Sequence, residues 1–258
     1  MCRCLAASGV SVAFYPGSEQ AGSILVMTSS TLVPVCEDIW QVRQALVVNG
    51  VPAHTRMTVV RLASGQLWVH SPVAPSAELI TQLQQLGPLV AVVAPNCAHH
   101  LFAGAFMQAF PQAKLYLAPG LARKRSDLPG HPLPDEPGIW QPELAYHLWR
   151  GMPLINETVW FHGRSGTLIL TDVCQWWVGE PLPWQAALWA RLTRVRGRMG
   201  VPLHVRAMVR DAEAAATSAR QILDWPIRRI SLAHDGLIET QAHEQLVRAV
   251  TPLLRRGR

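Results

Sequence analysis

An unbroken apolar run, LVAVVAP at residues 89–95, constrains this chain more than any other feature. A strand with one wet face alternates apolar and polar residues, so a run without polar interruption belongs to a strand covered on both faces. What surrounds it fits that reading. LFAGAFMQAF, closed by Pro111, predicts a short helix and AKLYLAP a further strand, which together make a βαβ unit. Upstream, MTVVRLASGQLWVHSPV from Met57 predicts a hairpin turning at ASG. SAELITQLQQLG predicts a helix capped by Ser76 and stopped at Gly87, with Leu79, Ile80, Leu83 and Leu86 on one face.

Beyond this unit, residues 120–142 are rich in Pro, Gly and charge and read as a long loop, while ELAYHLWRGM reads as a helix. NETVWFHGRSGTLILTDV predicts a second hairpin turning at GRSG. If residues 163–166 form its loop, His162 faces Thr167 and Glu157 falls opposite Asp172. PWQAALWARLTRVRG and RDAEAAATSARQILDWP read as amphipathic helices, the second capped by Asp211. IRRISLAH is a last strand and TQAHEQLVRAVTPLLRR a closing helix. Strands alternating with helices, with hairpins mixed in, give a layered α/β domain whose strands run in both directions. At 258 residues and 49% apolar content the chain supports a large core. A single domain over residues 27–258 is the simplest account. Residues 1–26 read as a disordered leader or a mis-called start, with Met27 as a second initiation point.

Net charge is +6, but the arginines and lysines are scattered, and no RNP-like, zinc-finger or helix-turn-helix pattern accompanies them. A nucleic-acid partner is therefore not indicated. Five cysteines, Cys2, Cys4, Cys36, Cys97 and Cys174, lack framework spacing, which predicts reduced thiols and a cytoplasmic location. No run approaches the ~20 apolar residues of a membrane span. Oligomeric state is not readable.

Ligands in α/β proteins collect beyond the carboxyl ends of strands. Here LVAVVAP runs into Asn96, Cys97, His99 and His100; TLILT ends at Asp172, with Cys174 beyond it; RRISLA ends at His234 and Asp235; GQLWV ends at His70. Imidazoles and a carboxylate delivered to one end of a sheet suit zinc or iron. Adjacent side chains point in different directions, so one of His99 and His100 is free to cap the helix instead. His162, at the turn end of its hairpin, reads as structural, and His54, His131, His147, His204 and His243 have no constellation around them. Cys97 and Cys174 flank the set as soft donors or as structural thiols. Trp176, Trp177, Trp184 and Trp189 read as packing residues.

RMTVVRL, GQLWVHSPV, APNCAHHLF, FPQAKLYLAPGLARKR, FHGRSGTLILTD and AHDG together resemble the DUF4336 family, over about residues 33–250. That family is assigned to the metallo-beta-lactamase-like fold. The resemblance implies a four-layered αββα sandwich with a site at one edge. Active members of the superfamily carry H-x-H-x-D-H after the strand that here ends at Pro95. Laid on that pattern, His100 takes the final His and His99 the Asp, while Pro95 and Cys97 replace the first two His. Asp172 matches the bridging carboxylate and His234 the last His. Residues 153–156 hold no counterpart of a further His, and Glu157 is the nearest substitute. The first metal thus loses its ligands and the second keeps His99, His100, Asp172 and His234.

The implied function is that of a metal-dependent hydrolase-like enzyme with one zinc or iron ion acting on a small ester, thioester or phosphoester, Asp172 and Glu157 serving as catalytic carboxylates. The alternative is a metal-free, catalytically degenerate protein of the same fold that binds a small ligand or a protein. A third reading, RNA binding or processing, draws on the basic balance and the RKR run at residues 123–125.

Overall fold

A computed structural model describes residues 10–11, 25–27, 31–48, 50–134, 138–178, 182–234 and 236–255. The first sheet holds β1 (Val10–Ser11), β2 (Leu25–Met27), β3 (Val33–Cys36), β4 (Ile39–Val48), β5 (Val51–Arg61), β6 (Leu67–His70), β7 (Leu89–Ala94), β8 (Lys114–Leu117) and β9 (His131–Pro132). The second holds β10 (Leu144–Leu148), β11 (Thr158–His162), β12 (Thr167–Leu170), β13 (Arg229–Leu232) and β14 (Leu237–Ile238). The helices are α1 (Ala77–Leu86), α2 (Ala103–Ala109), α3 (Leu121–Lys124), α4 (Trp184–Leu192), α5 (Leu203–Ala207), α6 (Ala212–Leu223) and α7 (Ala242–Leu254).

Alternation along the strands builds the layers. Leu67 and Val69 of β6 face the core shared with α1 and α2, while Trp68 between them faces the core shared with the second sheet. On β11, Val159 and Phe161 face the core shared with α6 and α7, and Trp160 faces back toward Trp68, with ring centroids 4.8 Å apart. Each strand therefore serves two cores. The result is helix, sheet, sheet, helix, the predicted αββα sandwich. LVAVVAP becomes β7, parallel to both β6 and β8 and covered on both faces.

Local chemistry acts where the sequence placed it. Ser76 Oγ accepts the Leu79 N–H at 3.1 Å, and Asp211 Oδ1 accepts the Ala214 N–H at 2.9 Å. His162 pairs with Thr167 as the hairpin count required.

Two expectations change. Residues 144–148, read as helical, form β10, paired with β11 over five positions from Leu144↔His162 to Leu148↔Thr158. Pairing across the sheet and the stacking of Tyr146 on Trp160, 4.7 Å apart, override helix propensity. The loop at 120–142 is broken by α3 and β9, and its residues 135–137 lie outside the described set. Val10–Ser11 and Leu25–Met27 pair with each other at the edge of the first sheet, the second of them also against β4. The rest of residues 1–26 lies outside the described residues, as does Asp235.

Candidate metal centre

Register brings the site together. Leu170 and Leu232 are partners in the parallel pair β12–β13. Two residues beyond each stand Asp172 and His234, with Oδ1 and Nε2 3.2 Å apart. From the first sheet, the turn after β7 adds His99, whose Nε2 lies 3.3 Å from His234 Nε2 and 3.4 Å from Asp172 Oδ2. One donor atom from each of the three lies within 4.8 Å of the other two.

Asn96 shapes the turn and is fully buried. Its Oδ1 accepts the N–H groups of Ala98 (2.8 Å) and His99 (2.7 Å), and its Nδ2 donates to Asp172 Oδ2 (2.7 Å) and Thr171 Oγ1 (2.9 Å). One side chain thereby fixes the histidine-bearing turn and the carboxylate together. The sequence flagged Asn96 by position, but its role depends on Asp172, 76 residues away.

The far ring nitrogens set the tautomers. His234 Nδ1 lies 2.9 Å from the His54 carbonyl oxygen, which only accepts, so Nδ1 carries a proton. In the neutral ring, Nε2 then presents its lone pair to Asp172 and His99. His99 Nδ1 meets Ser71 Oγ at 2.8 Å, and Ser71 holds a left-handed backbone (φ 55) directly after β6. Backbone held in that region costs energy and gathers at functional sites. Trp177 stacks on His234 with centroids 5.9 Å apart, and Gln175 Nε2 donates to Asp172 Oδ1 at 3.1 Å. Burial pushes the Asp172 carboxyl up, but the charge and hydrogen bonds of the two histidines in their protonated form outweigh it and hold the group well below the usual carboxylate range.

Zinc bonds to nitrogen and oxygen of 2.0–2.2 Å place neighbouring ligands of a tetrahedron about 3.3 Å apart. The two imidazole nitrogens, 3.3 Å apart, match that edge, and each meets a different oxygen of Asp172, His234 Nε2 at 3.2 Å from Oδ1 and His99 Nε2 at 3.4 Å from Oδ2, so the carboxylate faces both rings. Residues and geometry therefore fit a single cation.

His100, expected as a ligand, stands outside the cluster. Its Nδ1 lies 3.0 Å from Arg125 Nη1, a group that only donates, so Nδ1 accepts and Nε2 carries the proton. A ring so engaged offers no lone pair to a metal. Burial, reinforced by Lys124 and Arg125, lowers its pKa to about 4.

Glu157, expected opposite Asp172, precedes β11 beyond the last paired position, Trp160↔Ile169, and is buried and engaged. It accepts the backbone N–H groups of Thr171, Asp172 and Val173 at 2.7–2.8 Å. Burial and the Asp172 charge push its carboxyl upward against those donors. It builds the loop that carries Asp172 rather than reaching the cluster. Cys97 and Cys174 also lie outside the cluster; burial raises both thiols, and Cys174 packs in the core against α6 and α7.

A cavity of about 350 Å³ opens over the triad. Leu46, Val48, Val51 and Ala53 of the β4–β5 hairpin, Phe102 and Trp189 form apolar walls. His204, read from sequence as isolated, lines this cavity, and so does Trp177, read as packing. Among the described residues no lysine or arginine lines it. Two of the cations in the RKR run are engaged elsewhere, Lys124 with the Cys97 carbonyl and Arg125 with Asp127.

Residues 36–124 match the family model described as Domain of unknown function (DUF4336). That stretch contains RMTVVRL, GQLWVHSPV and APNCAHHLF; the hairpin carrying Asp172 and the turn carrying His234 lie beyond it. A metallo-beta-lactamase from Pontibacter korlensis superposes with a TM-score of 0.59 at 10% identity, covering 86% of this chain and 99% of that one. The fold is that of the metallo-beta-lactamases. Two further solved structures share it. FIM-1 from Pseudomonas aeruginosa, in its mono-zinc form, gives a TM-score of 0.59 at 11% identity and covers 87% of this chain and 96% of its own. A metal-soaked flavodiiron core from Synechocystis sp. gives 0.59 at 11%, covering 88% of this chain and 61% of its own. No curated protein matches. Within the metallo-beta-lactamase fold, the triad sits where strands of both sheets end, and no described helix is long and apolar enough to cross a membrane.

Proposed function

We propose that this chain is a mononuclear metal-dependent hydrolase-like enzyme whose ion is held by His99, Asp172 and His234. The observation that carries the reading is the convergence of two imidazole nitrogens 3.3 Å apart on one carboxylate, one donor atom from each residue lying within 4.8 Å of the other two, with the His234 tautomer set by the His54 carbonyl. The mono-zinc form of FIM-1 shows that this fold accommodates a single zinc ion. A zinc or iron ion bound there would lower the pKa of coordinated water to ~7 and polarise an ester, thioester or phosphoester. The chain's own residues do the rest. Asn96 and Gln175 hold the Asp172 carboxylate in place, Ser71 orients His99, and the apolar walls exclude water from a small uncharged group seated over the triad.

Elemental analysis tests this directly. Wild type prepared with metal is expected to hold about one zinc or iron per chain, the His99→Ala, His234→Ala double variant none, and His100→Ala about as much as wild type. No metal in the wild type would sink the reading. It would favour a ligand-binding protein without turnover, which the engagement of Glu157 by three backbone donors supports, since that carboxylate is not free to act as a base.

A further inference from the structure

A second site lies across the segment that leaves Asp172. Residues 175–177 separate two hollows: Gln175 and Trp177 line the cavity over the triad, and Trp176 lines a groove of about 530 Å³ on the other side. Arg194, Arg198 and Arg248 line that groove, and Arg194 and Arg198 also line an adjoining hollow of about 490 Å³ with Arg191 and Arg196. Among the described residues no carboxylate lines either hollow. None of these five arginines has an ion-pair partner among them, whereas Arg61, Arg125 and Arg229 pair with Asp38, Asp127 and Glu239.

The cluster is held rather than splayed. After α4 the chain is pinned to residues 175–177 by backbone bonds from Trp177 N–H to the Val195 carbonyl and between Gln175 and Gly200 in both directions, all at 3.0 Å. Thr193, Val195 and Met199 are buried, so Arg194, Arg196 and Arg198 project outward. Arg194 adopts φ 65 just past the end of α4, where glycine is the low-cost residue. An arginine kept at a strained position beside four unpaired arginines signals a use for its side chain.

We propose that this arginine-lined groove binds a ligand carrying linked phosphates, of the pyrophosphate or triphosphate type. Guanidinium forks match phosphate oxygens two at a time and stay charged at all working pH values. Five such groups, spread along the groove and its adjoining hollow, exceed what one phosphate dianion offsets, so the complement is a short chain of phosphates. Nucleoside triphosphates and inorganic polyphosphate both supply that chemistry. Trp176 at the groove offers a ring face to a base and would separate them.

Titration calorimetry of the full chain with inorganic tripolyphosphate, ATP, orthophosphate and a short single-stranded RNA tests the site. Tripolyphosphate is expected to bind about one per chain, orthophosphate about tenfold more weakly or less, and both more weakly as salt screens the charges. Arg194→Gln with Arg198→Gln should weaken tripolyphosphate about tenfold or more. Arg123→Gln with Arg220→Gln removes the same charge elsewhere and should leave binding near wild type. Equal affinity for ATP and tripolyphosphate would assign the phosphate chain alone; tighter ATP binding that is reduced in Trp176→Leu would assign a nucleotide. Absence of tripolyphosphate binding at low salt, equal loss in both double variants, or binding of RNA alone would overturn the proposal. Metal content and the thermal midpoint are read on every variant, so that loss of binding is separated from loss of fold or of the triad.

Discussion

Asn96 and Glu157 show how few side chains hold the candidate centre together. Glu157 satisfies three backbone N–H groups of the loop carrying Asp172. Replacing it with Gln puts an amide donor against those donors. Chemical denaturation of Glu157→Gln should show a loss of about 1–3 kcal/mol, the cost of an unsatisfied buried donor. His70 makes a second test. It is buried, stacked on Trp68, and its Nε2 has no hydrogen-bond partner. Burial, with His99 nearby, lowers its pKa from 6.5 to about 3. Between those values the unfolded chain binds a proton that the folded chain does not. The stability His70 contributes is thus present above pH 6.5 and lost as pH falls toward 3. His70→Phe keeps the stack and removes the proton, so its stability measured across that range should fall less steeply than that of wild type. Of the adjacent pair, His99 joins the cluster with Asp172 and His234 and His100 does not. Sequence does not separate them, because the choice rests on Arg125 reaching back to the His100 ring.

Elements were legible where their determinants are local. The caps at Ser76 and Asp211 and the turn of the β11–β12 hairpin lie within a few residues of the elements they define. Period-two burial on β6 and β11 follows from the side-chain alternation of a strand. β10 was misread because its stabilising partners, β11 and the Trp160 ring, lie outside its own sequence. Trp160 also meets Trp68 and Trp140, so it joins β10, β11 and the first sheet at one point. Trp160→Ala is expected to cost about 3–5 kcal/mol, seen as a lowered thermal midpoint. A lesser loss would mean that the intersheet core collapses around the gap.

At the scale of the whole molecule, the centre exists only because the two sheets are held in one relative position. Arg56 of β5 donates to the Leu232 carbonyl at 3.1 Å and the Gly236 carbonyl at 2.7 Å, gripping both sides of His234 from the opposite sheet. Gln41 and Thr58 of the first sheet meet Ser231 of the second. Arg56→Met should retain the fold but weaken metal binding by about 10–100-fold, the usual effect of losing a group that orients a ligand. Unchanged metal affinity in a folded Arg56→Met protein would show that the turn keeps its shape unaided. The sequence by itself determined the strands β6–β8 and β11–β13, the helix caps, the hairpin register and the placing of His99, Asp172 and His234 beyond strand ends, because each follows from periodicity or from contacts a few residues apart. Only the tertiary structure decided which of the adjacent histidines joins the triad, that Glu157 is a loop support and that five arginines gather along a groove and the hollow beside it. Those outcomes depend on which distant donor or acceptor each group meets when the sheets close.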